Sequence, residues 1–386
     1  MIGAAGRWHS DAGAEPAVQP NTWEVALTSS NPADTSVTAG STAAGSTAAA
    51  PTGPRVVDVH AHAMPMPLLR SLADRGLADV SAVDAGIVRL DPVVSGVGPG
   101  APLPLARSQH DVATRLGEMD EAGVDVHAVS LPPFLFATNA TDPAFAAGVV
   151  AQGNDELAAY VAGAPDRLVG LGYVPLGHPG VADEAVRVLD DLGMAGIAIG
   201  SQGGGKDLDD PVNEDLWALL AERNTFVFMH PSGMPAGPRL RDFWMPQLVG
   251  YPMETAIAVA RLVFSGVLER HPITLCLAHG GGCLPSLHGR MDMGWARKDV
   301  AHTNDEPPSH YTRRLYYDTA VFDTTTLRRI VEDVGVEHVL MGTDHPFELG
   351  DPDPRRTVAD LGLDPAATAA ILGGTAAGLL GLTPRR

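Results

Sequence analysis

The chain has little cysteine and little positive charge. Its 386 residues include only two cysteines, Cys276 and Cys283. They are too few for a disulfide framework, and their scarcity fits a reducing compartment. Lysine and arginine together number 26 against 46 aspartates and glutamates, which gives a formal charge of -20. This balance argues against a nucleic-acid backbone or an anionic membrane surface as the main partner.

Long apolar runs are also missing. No stretch approaches the roughly 20 apolar residues that a membrane-spanning helix needs. Residues Met1 to Pro16 have no continuous apolar segment of the kind found in secretory signals. We therefore expect a cytoplasmic protein that binds neither nucleic acid nor membrane and acts on a small molecule.

The first 54 residues differ in composition from the rest. Thr28 to Gly53 consists almost wholly of Ser, Thr, Ala, Gly and Pro. Such a segment buries too little apolar surface to offset the chain entropy lost on folding. The sequence therefore predicts a disordered tail over residues 1–54 and one large folded domain over residues 55–386.

From Arg55 onward, short apolar runs alternate with amphipathic stretches. This β/α alternation predicts an α/β fold of the (β/α)8 TIM-barrel type. A doubly wound sheet is the alternative, but it explains less well why His and Asp recur at the ends of widely separated strands. The predicted strands are 56–60, 125–131, 168–174, 195–199, 225–230, 273–278, 315–320 and 338–343. The predicted helices are 108–122, 143–163, 179–193, 212–223, 253–269, 284–297, 323–334 and 365–380.

A long insertion interrupts this alternation after the first predicted strand. Residues 63–107 are rich in proline and glycine. Loops of such length are uncommon in compact domains unless they serve a function. We interpret the insertion as a partial cover over the mouth of the barrel.

The most informative motif ends the first predicted strand. His60 and His62 lie two residues apart in the run Val57-Asp58-Val59-His60-Ala61-His62. Side chains alternate between the faces of a strand, so both imidazoles leave the same face. Two imidazoles placed in this way can hold one metal ion.

Three later apolar runs end in residues that complete such a site, as expected at the carboxyl ends of barrel strands. They supply His230, Asp344 and His279. We interpret His60, His62, His230 and Asp344 as ligands of Zn²⁺, with Mn²⁺ as the alternative. His279, which precedes three glycines, is interpreted as a general acid/base; the alternative for a single such histidine is a structural role.

Lysine scarcity bears on the number of metal ions. The chain has two lysines, Lys206 and Lys298, and neither ends a predicted strand. A carbamylated lysine that bridges two metal ions is therefore not expected. We expect one metal ion in the site.

Taken together, these motifs resemble those of the metal-dependent decarboxylase branch of the amidohydrolase superfamily. The resemblance runs from about Val57 to the C-terminus. Beside the His-x-His motif, it rests on Arg115 followed by Glu118-Met119-Asp120 and on the segments Phe228 to Pro231, Leu248 to Thr255, Ala278 to Gly282 and Gly342 to Phe347.

The resemblance implies further roles. Arg115 would grip a substrate carboxylate, and Arg290 would reach across the interface of a homodimer. Met234 and Phe347 would line the substrate pocket. The alternative for Arg115 is a solvated helix residue, and Met234 or Phe347 could equally be core residues. His60, His62, His230 and Asp344 would bind zinc, and His279 would move the substrate proton; no organic cofactor is implied.

The chain also departs from the family pattern at three positions. Ser232 stands where the family decarboxylases tend to have tryptophan after His-Pro, and Gln247 replaces the second tryptophan of a Trp-x-Pro-Trp pattern. His345 replaces tyrosine in Asp-Tyr-Pro-Phe. Aromatic contact area is reduced, so we expect a substrate of different shape or polarity.

The leading hypothesis is metal-dependent, non-oxidative decarboxylation of an unsaturated or aromatic carboxylic acid. The second is a metal-dependent hydrolase or hydratase on the same barrel, because fold alone does not fix function. A non-catalytic metal-binding barrel is the third, and the complete ligand set argues against it.

Overall fold

The architecture rests on a ring of parallel strands. The computed structural model describes residues 55–233, 238–240 and 242–383. Its strands, in chain order, are β1 (Val57–His62), β2 (Ala78–Asp79), β3 (Ile87–Leu90), β4 (Leu103–Pro104), β5 (Val126–Ser130), β6 (Leu168–Tyr173), β7 (Gly196–Ile199), β8 (Gln202–Gly203), β9 (Lys206–Asp207), β10 (Phe226–Met229), β11 (Thr274–Leu277), β12 (Tyr316–Asp318) and β13 (Val339–Leu340).

Eight of these strands form one sheet in the order β1-β5-β6-β7-β10-β11-β12-β13, with parallel neighbours throughout. The chain after β13 returns to β1, where Val59 N donates to Met341 O at 3.0 Å and Asp344 N donates to His60 O at 2.9 Å. These bonds join the last strand to the first and nearly close the ring. The strands are buried on both faces, which explains their almost continuous apolar sequences.

Helices surround the ring. Their bounds are α1 (Met66–Asp74), α2 (Pro92–Ser95), α3 (Val112–Ala122), α4 (Pro143–Val161), α5 (Val181–Val186), α6 (Glu214–Glu222), α7 (Tyr251–Phe264), α8 (Val267–Arg270), α9 (His288–Arg297), α10 (Pro308–Thr312), α11 (Thr324–Val334), α12 (Pro354–Ala359), α13 (Pro365–Ala369) and α14 (Thr375–Leu379). Aspartates cap several of them; Asp323, for example, accepts a hydrogen bond from Thr326 N at the start of α11.

Three predicted helices are less regular than expected. The predicted helix 253–269 is divided into α7 and α8 at Gly266, which has a left-handed φ of 74°. The predicted helix 179–193 continues from α5 into a π-helical segment, Arg187–Asp191. The predicted helix 365–380 is interrupted by a second π-helical segment, Ala370–Gly374, in which the backbone of Gly373 is not helical.

The insertion after β1 is folded. It contains α1 and α2 and a small antiparallel sheet in the order β2-β3-β4. Leu68, Leu69 and Leu72 of α1 and Val88 and Leu90 of β3 are buried in the common core. Its role as a cover over the barrel mouth stays a prediction.

The predicted (β/α)8 barrel is confirmed, and the doubly wound alternative is wrong because the chain directly after β13 is hydrogen-bonded to β1. The predicted tail over residues 1–54 and Met234 lie outside the described residues. Among the helices that the structure describes, none has the length and apolar character needed to cross a membrane.

Candidate metal centre

The predicted ligand residues meet at the carboxyl ends of three strands. His60 and His62 lie on β1, His230 follows β10 and Asp344 follows β13. Each offers one ligand atom, and these atoms all lie within 4.8 Å of one another. All four residues are buried. The chain therefore builds one closely spaced group of three imidazoles and a carboxylate.

Hydrogen bonds orient the three imidazoles. His60 Nδ1 lies 2.7 Å from Asp318 Oδ2, and His230 Nδ1 lies 2.9 Å from the carbonyl oxygen of Pro231. A carbonyl only accepts, so Nδ1 of His230 carries the proton and Nε2 keeps its lone pair. His62 Nδ1 is hydrogen-bonded to a serine hydroxyl, that of Ser130, at 3.2 Å.

The inward atoms fit a cation. His60 Nε2 and His62 Nε2 lie 3.2 and 3.3 Å from Asp344 Oδ1. All three atoms are buried, and within the described part of the chain none has a hydrogen-bond partner. Orphaned buried polar atoms are rare, and a shared metal ion would satisfy all three. The Nδ1 atoms of His60 and His62 are hydrogen-bonded to Asp318 and Ser130 on the side away from the centre. Metal-binding histidines have this arrangement.

The electrostatics agree with this fit. Burial, reinforced by the neighbouring imidazoles, holds the pKa of His230 well below its usual range, so it is a neutral ligand. Burial alone would raise the pKa of Asp344, but the His60 charge and the hydrogen bond from His279 Nε2 hold it well below its usual value. Burial would likewise lower the pKa of His60, yet the Asp344 and Asp318 carboxylates raise it to about 10. The centre thus favours a positive charge, and a divalent metal supplies one.

His279 stands beside the ligands. Its ring centroid is 4.9 Å from that of His230, and its Nε2 is 3.4 Å from Asp344 Oδ2. It begins a tight turn in which His279, Gly280, Gly281 and Gly282 all have left-handed φ values, from 56° to 74°. A non-glycine residue in this region is unusual, and the turn directs the imidazole toward the metal centre.

Arg115 is placed differently from its predicted contact with substrate. Its side chain is fully buried. Nε donates to the Tyr160 hydroxyl at 2.8 Å and to Ser108 O at 3.1 Å, Nη1 donates to His127 Nδ1 at 3.1 Å, and Nη2 donates to His62 O. Burial and the Arg115 charge hold the pKa of His127 well below its usual range, so its neutral ring can accept. The guanidinium thus braces the strand that carries His62.

Of the other predicted residues, Phe347 lies beside the centre, with its ring centroid 5.4 Å from that of His62. Arg290 is exposed on α9 and forms no hydrogen bond or ion pair with the residues that the structure describes. Its predicted partner would belong to another subunit. Met234 lies outside the described residues, as stated above.

Several residues around the centre were missed by the sequence reasoning. Asp318 ends β12. It lies inside the predicted strand 315–320, and a carboxylate within an apolar strand was the available signal. Tyr251 opens α7 with its ring centroid 5.9 Å from that of His230. Burial, and then the Asp344 carboxylate, raise the pKa of the Tyr251 hydroxyl to about 12. Asp58 accepts hydrogen bonds from Thr343 N and Oγ1 at 3.1 and 2.6 Å, which anchors the segment before Asp344.

Among the described residues, one buried group of potential metal ligands lies at the carboxyl ends of the strands of an eight-stranded parallel barrel. This arrangement is typical of metal-dependent barrel enzymes. A family model described as amidohydrolase matches residues 57–382. The chain therefore belongs to the amidohydrolase family.

The chain is also similar to individual proteins of known sequence or structure. A 2-amino-3-carboxymuconate-6-semialdehyde decarboxylase of Dictyostelium discoideum is 34% identical over 281 residues, 72% of this chain and 78% of that protein. The crystal structure of a Metarhizium anisopliae IDCase in apo form matches with a TM-score of 0.72 and 27% identity, covering 85% of this chain and 97% of that one. The 5-carboxyvanillate decarboxylase of Sphingomonas paucimobilis matches with a TM-score of 0.71 and 26% identity, covering 86% and 100%.

Proposed function

We propose that this protein is a metal-dependent, non-oxidative decarboxylase of an unsaturated or aromatic carboxylic acid. The observation that carries the proposal is the group of three imidazoles and one carboxylate with a fifth residue, His279, held 3.4 Å from the carboxylate. The decarboxylases to which the chain is similar support the reaction class.

The chemistry divides between the cation and the protein. When bound, a divalent cation supplies Lewis acidity, which offsets negative charge that develops as CO₂ departs. The electron pair of the broken carbon–carbon bond stays on the substrate carbon, which must then take up a proton. His279 is placed to deliver that proton, because Asp344 Oδ2 holds its Nε2 beside the centre.

We propose zinc as the resident metal. Three imidazoles and one carboxylate are a ligand set that zinc accepts in catalytic sites. Manganese is the alternative, because carboxylates and water also suit it. No organic cofactor is proposed.

Two predicted substrate contacts enter the proposal with different support. Phe347 lies close enough to His62 to line the substrate pocket. The predicted grip of Arg115 on a carboxylate has less support, because each of its nitrogens already donates to a protein acceptor. Met234 remains a predicted pocket residue.

We further propose a homodimer in the cytoplasm. Arg290 is exposed, as a residue that completes a neighbouring subunit's site would be in one chain. The segment around the start of α7 exposes several large apolar side chains, namely those of Phe243, Trp244, Leu248, Met253 and Ile257. Exposed apolar surface of this kind often marks a protein interface. Both cysteines are free, which fits a reducing compartment.

The test is CO₂ release by protein reconstituted with zinc or manganese. The acids are 2-amino-3-carboxymuconate 6-semialdehyde, 5-carboxyvanillate and a set of hydroxybenzoates, and the control is Asp344→Ala. We expect metal-dependent release from at least one acid and none from the variant. Metal-dependent hydrolysis of lactones or amides, with no CO₂ from any acid, would overturn the proposal in favour of the hydrolase hypothesis.

A further inference from the structure

Asp318 connects two parts of the centre that are far apart in sequence. It ends β12 and is fully buried. Its Oδ2 lies 2.7 Å from His60 Nδ1, and its Oδ1 accepts a hydrogen bond from Gly280 N at 2.8 Å. A third bond, from Ala320 N at 3.1 Å, fixes the carboxylate to its own loop. One carboxylate therefore contacts both a metal ligand and the turn that carries His279.

The contact with His60 decides which ring nitrogen faces the metal centre. A carboxylate accepts, so in the neutral ring that binds metal the proton of His60 resides on Nδ1 and the lone pair on Nε2. Nε2 is the atom that points toward Asp344 Oδ1, at 3.2 Å. Without this acceptor, nothing among the described neighbours of Nδ1 would hold the ring in the ligand tautomer.

The contact with Gly280 holds the turn in its unusual conformation. His279 has a φ of 56° and Gly280 a φ of 57°. Such a conformation is costly for histidine and persists only where the surroundings impose it. A Cβ on Gly280 would lie 2.2 Å from Val321 Cγ1, so the turn is also pressed closely against the loop after β12. The hydrogen bond from Gly280 N to Asp318 joins these two loops beside the strained residue.

We propose that Asp318 is a positioning residue with two separable effects. Through Oδ2 it presents His60 to the metal, and through Oδ1 it holds the turn that places His279. The second effect rests on the proposed function, whereas the first concerns metal binding alone. Asp318 is not one of the four grouped ligand residues, so it acts through His60 and through the turn.

Two substitutions separate these effects. Asn in Asp318→Asn keeps an oxygen for Gly280 N but turns an NH₂ group toward His60 Nδ1. That donor favours the tautomer with the proton on Nε2, which is the wrong one for a ligand. We expect affinity for Zn²⁺ and Mn²⁺ to fall about 10- to 100-fold, while kcat at saturating metal falls less than in Asp318→Ala, because Gly280 N keeps its acceptor. Asp318→Ala removes both acceptors and should lower metal affinity and kcat together.

The chain offers a matched control. Asp333 Oδ2 lies 2.9 Å from His288 Nδ1 in a second aspartate–histidine pair, between α11 and α9. Asp333→Asn changes the same chemistry away from the ligand centre, and its metal affinity should equal that of the wild type. Affinities are measured on metal-free protein by competition with a chromophoric chelator, with no substrate present.

The outcomes are distinct. Wild-type metal affinity in Asp318→Asn, or an equal loss in Asp333→Asn, would overturn the positioning of His60. Wild-type kcat in Asp318→Ala at saturating metal would overturn the positioning of His279. In a His279→Asn background, Asp318→Ala should cost no further kcat at saturating metal. If Asp318→Ala fails to fold, the metal affinity of the isosteric Asp318→Asn still tests the positioning of His60.

Absence of CO₂ release by the wild type would count against the proposed function. The positioning of His60 would still be tested, because metal affinity is measured without substrate.

Discussion

Two residues of the metal centre have a backbone conformation that non-glycine residues rarely adopt. His279 and Asp344 both have left-handed φ values, 56° and 65°. Each directly follows a strand-like run, and the sharp turn aims its side chain back over the end of the barrel. Strained residues of this kind cluster at functional sites. The sequence pattern predicted both residues as functional, but not their conformation, because neither is a residue type that favours positive φ strongly enough to signal it.

The neighbours of the metal ligands show where sequence reasoning reached its limit. His60, His62, His230 and Asp344 could be predicted because strand ends converge in a barrel. Asp318 was missed because its partner His60 is 258 positions away in the chain. Arg115 was expected to face the substrate, whereas packing buries it behind His62. Which side of a helix faces the barrel depends on contacts that local pattern does not specify.

His279→Asn tests the general acid/base at this scale. Asparagine preserves size and polarity but cannot transfer a proton near neutral pH. We expect metal stoichiometry to be unchanged and kcat to fall by about 10²- to 10⁴-fold. Both are measured on the same metal-reconstituted preparation. A kcat near the wild-type value would remove His279 from proton transfer.

Arg115→Met distinguishes bracing from substrate binding. The substitution leaves the buried carbonyl oxygens of Ser108 and His62 without their guanidinium donor. The Tyr160 hydroxyl still donates to Ser108 O at 2.6 Å, so the main loss falls on His62 O. An orphaned buried group costs about 1–3 kcal/mol, and we expect a loss of this size in the free energy of unfolding. Urea unfolding measures this loss, and KM is determined in parallel. Unchanged stability with a strongly raised KM would instead support the carboxylate grip.

At the scale of elements, the site depends on close approach between the loops that follow neighbouring strands. The turn after β11 packs against the start of α7, where Cys283 N donates to Pro252 O at 3.1 Å. The eight strands were predictable because apolar runs of this length are typical of buried parallel strands. The break between α7 and α8 and the π-helical segments were not, because they follow from tertiary packing rather than from local propensity.

Gly282→Ala tests that close approach. Gly282 has a φ of 61°, and a Cβ there would lie 2.3 Å from Pro252 O. Left-handed strain costs about 1–3 kcal/mol, and the backbone overlap adds to it. We expect a clear loss of unfolding free energy together with reduced turnover, because the turn also carries His279. Gly294→Ala, on α9 with nothing within 4 Å of the new Cβ, is the control and should be neutral or stabilising. Equal effects in both variants would contradict the packing argument.

A pH-dependent contact links two other elements. Glu214, the first residue of α6, accepts hydrogen bonds from Arg270 Nε of α8 at 2.9 Å and from His271 Nε2 at 2.9 Å. Hydrogen bonds from Arg270, and then from His271, lower the pKa of Glu214 from 4.5 to about 2. A lowered pKa means that the stabilisation is present above pH 4.5 and is lost as the pH falls toward 2.

Glu214→Gln follows from this shift. The variant should be less stable than the wild type at pH 6, and the difference should shrink as the pH falls through the window below 4.5. The effect is modest, because the carboxylate is 41% exposed and solvent screens it. Urea unfolding at pH 6 and pH 3.5 measures the two differences. A difference that stays constant over this range would contradict the assigned shift.

At the scale of the whole molecule, close contacts between the start and the end of the described chain complete the barrel. A Cβ on Gly373 would lie 2.2 Å from Arg55 O and 2.7 Å from Val57 N. Met341, the residue after β13, donates its N–H to Ile371 O at 3.0 Å. Ile371 lies two residues before Gly373, so both contacts involve the segment Ala370–Gly374. The family match begins at Val57 and ends at residue 382. His60 and His62 lie on β1 and Asp344 follows β13, so these contacts join the two parts of the chain that carry three of the four ligand residues.

A chain of residues 55–386 should therefore be sufficient for folding and metal binding. We expect its midpoint of thermal unfolding to match that of the full chain and to rise equally on adding Zn²⁺ or Mn²⁺, because a ligand that binds only the folded state stabilises it. A chain that begins at residue 63 lacks β1 with His60 and His62, and should show neither cooperative unfolding nor a metal-dependent shift. A lower midpoint for 55–386 than for the full chain would show that the first 54 residues contribute to the fold. A smaller metal shift at an equal midpoint would show that they contribute to the metal centre.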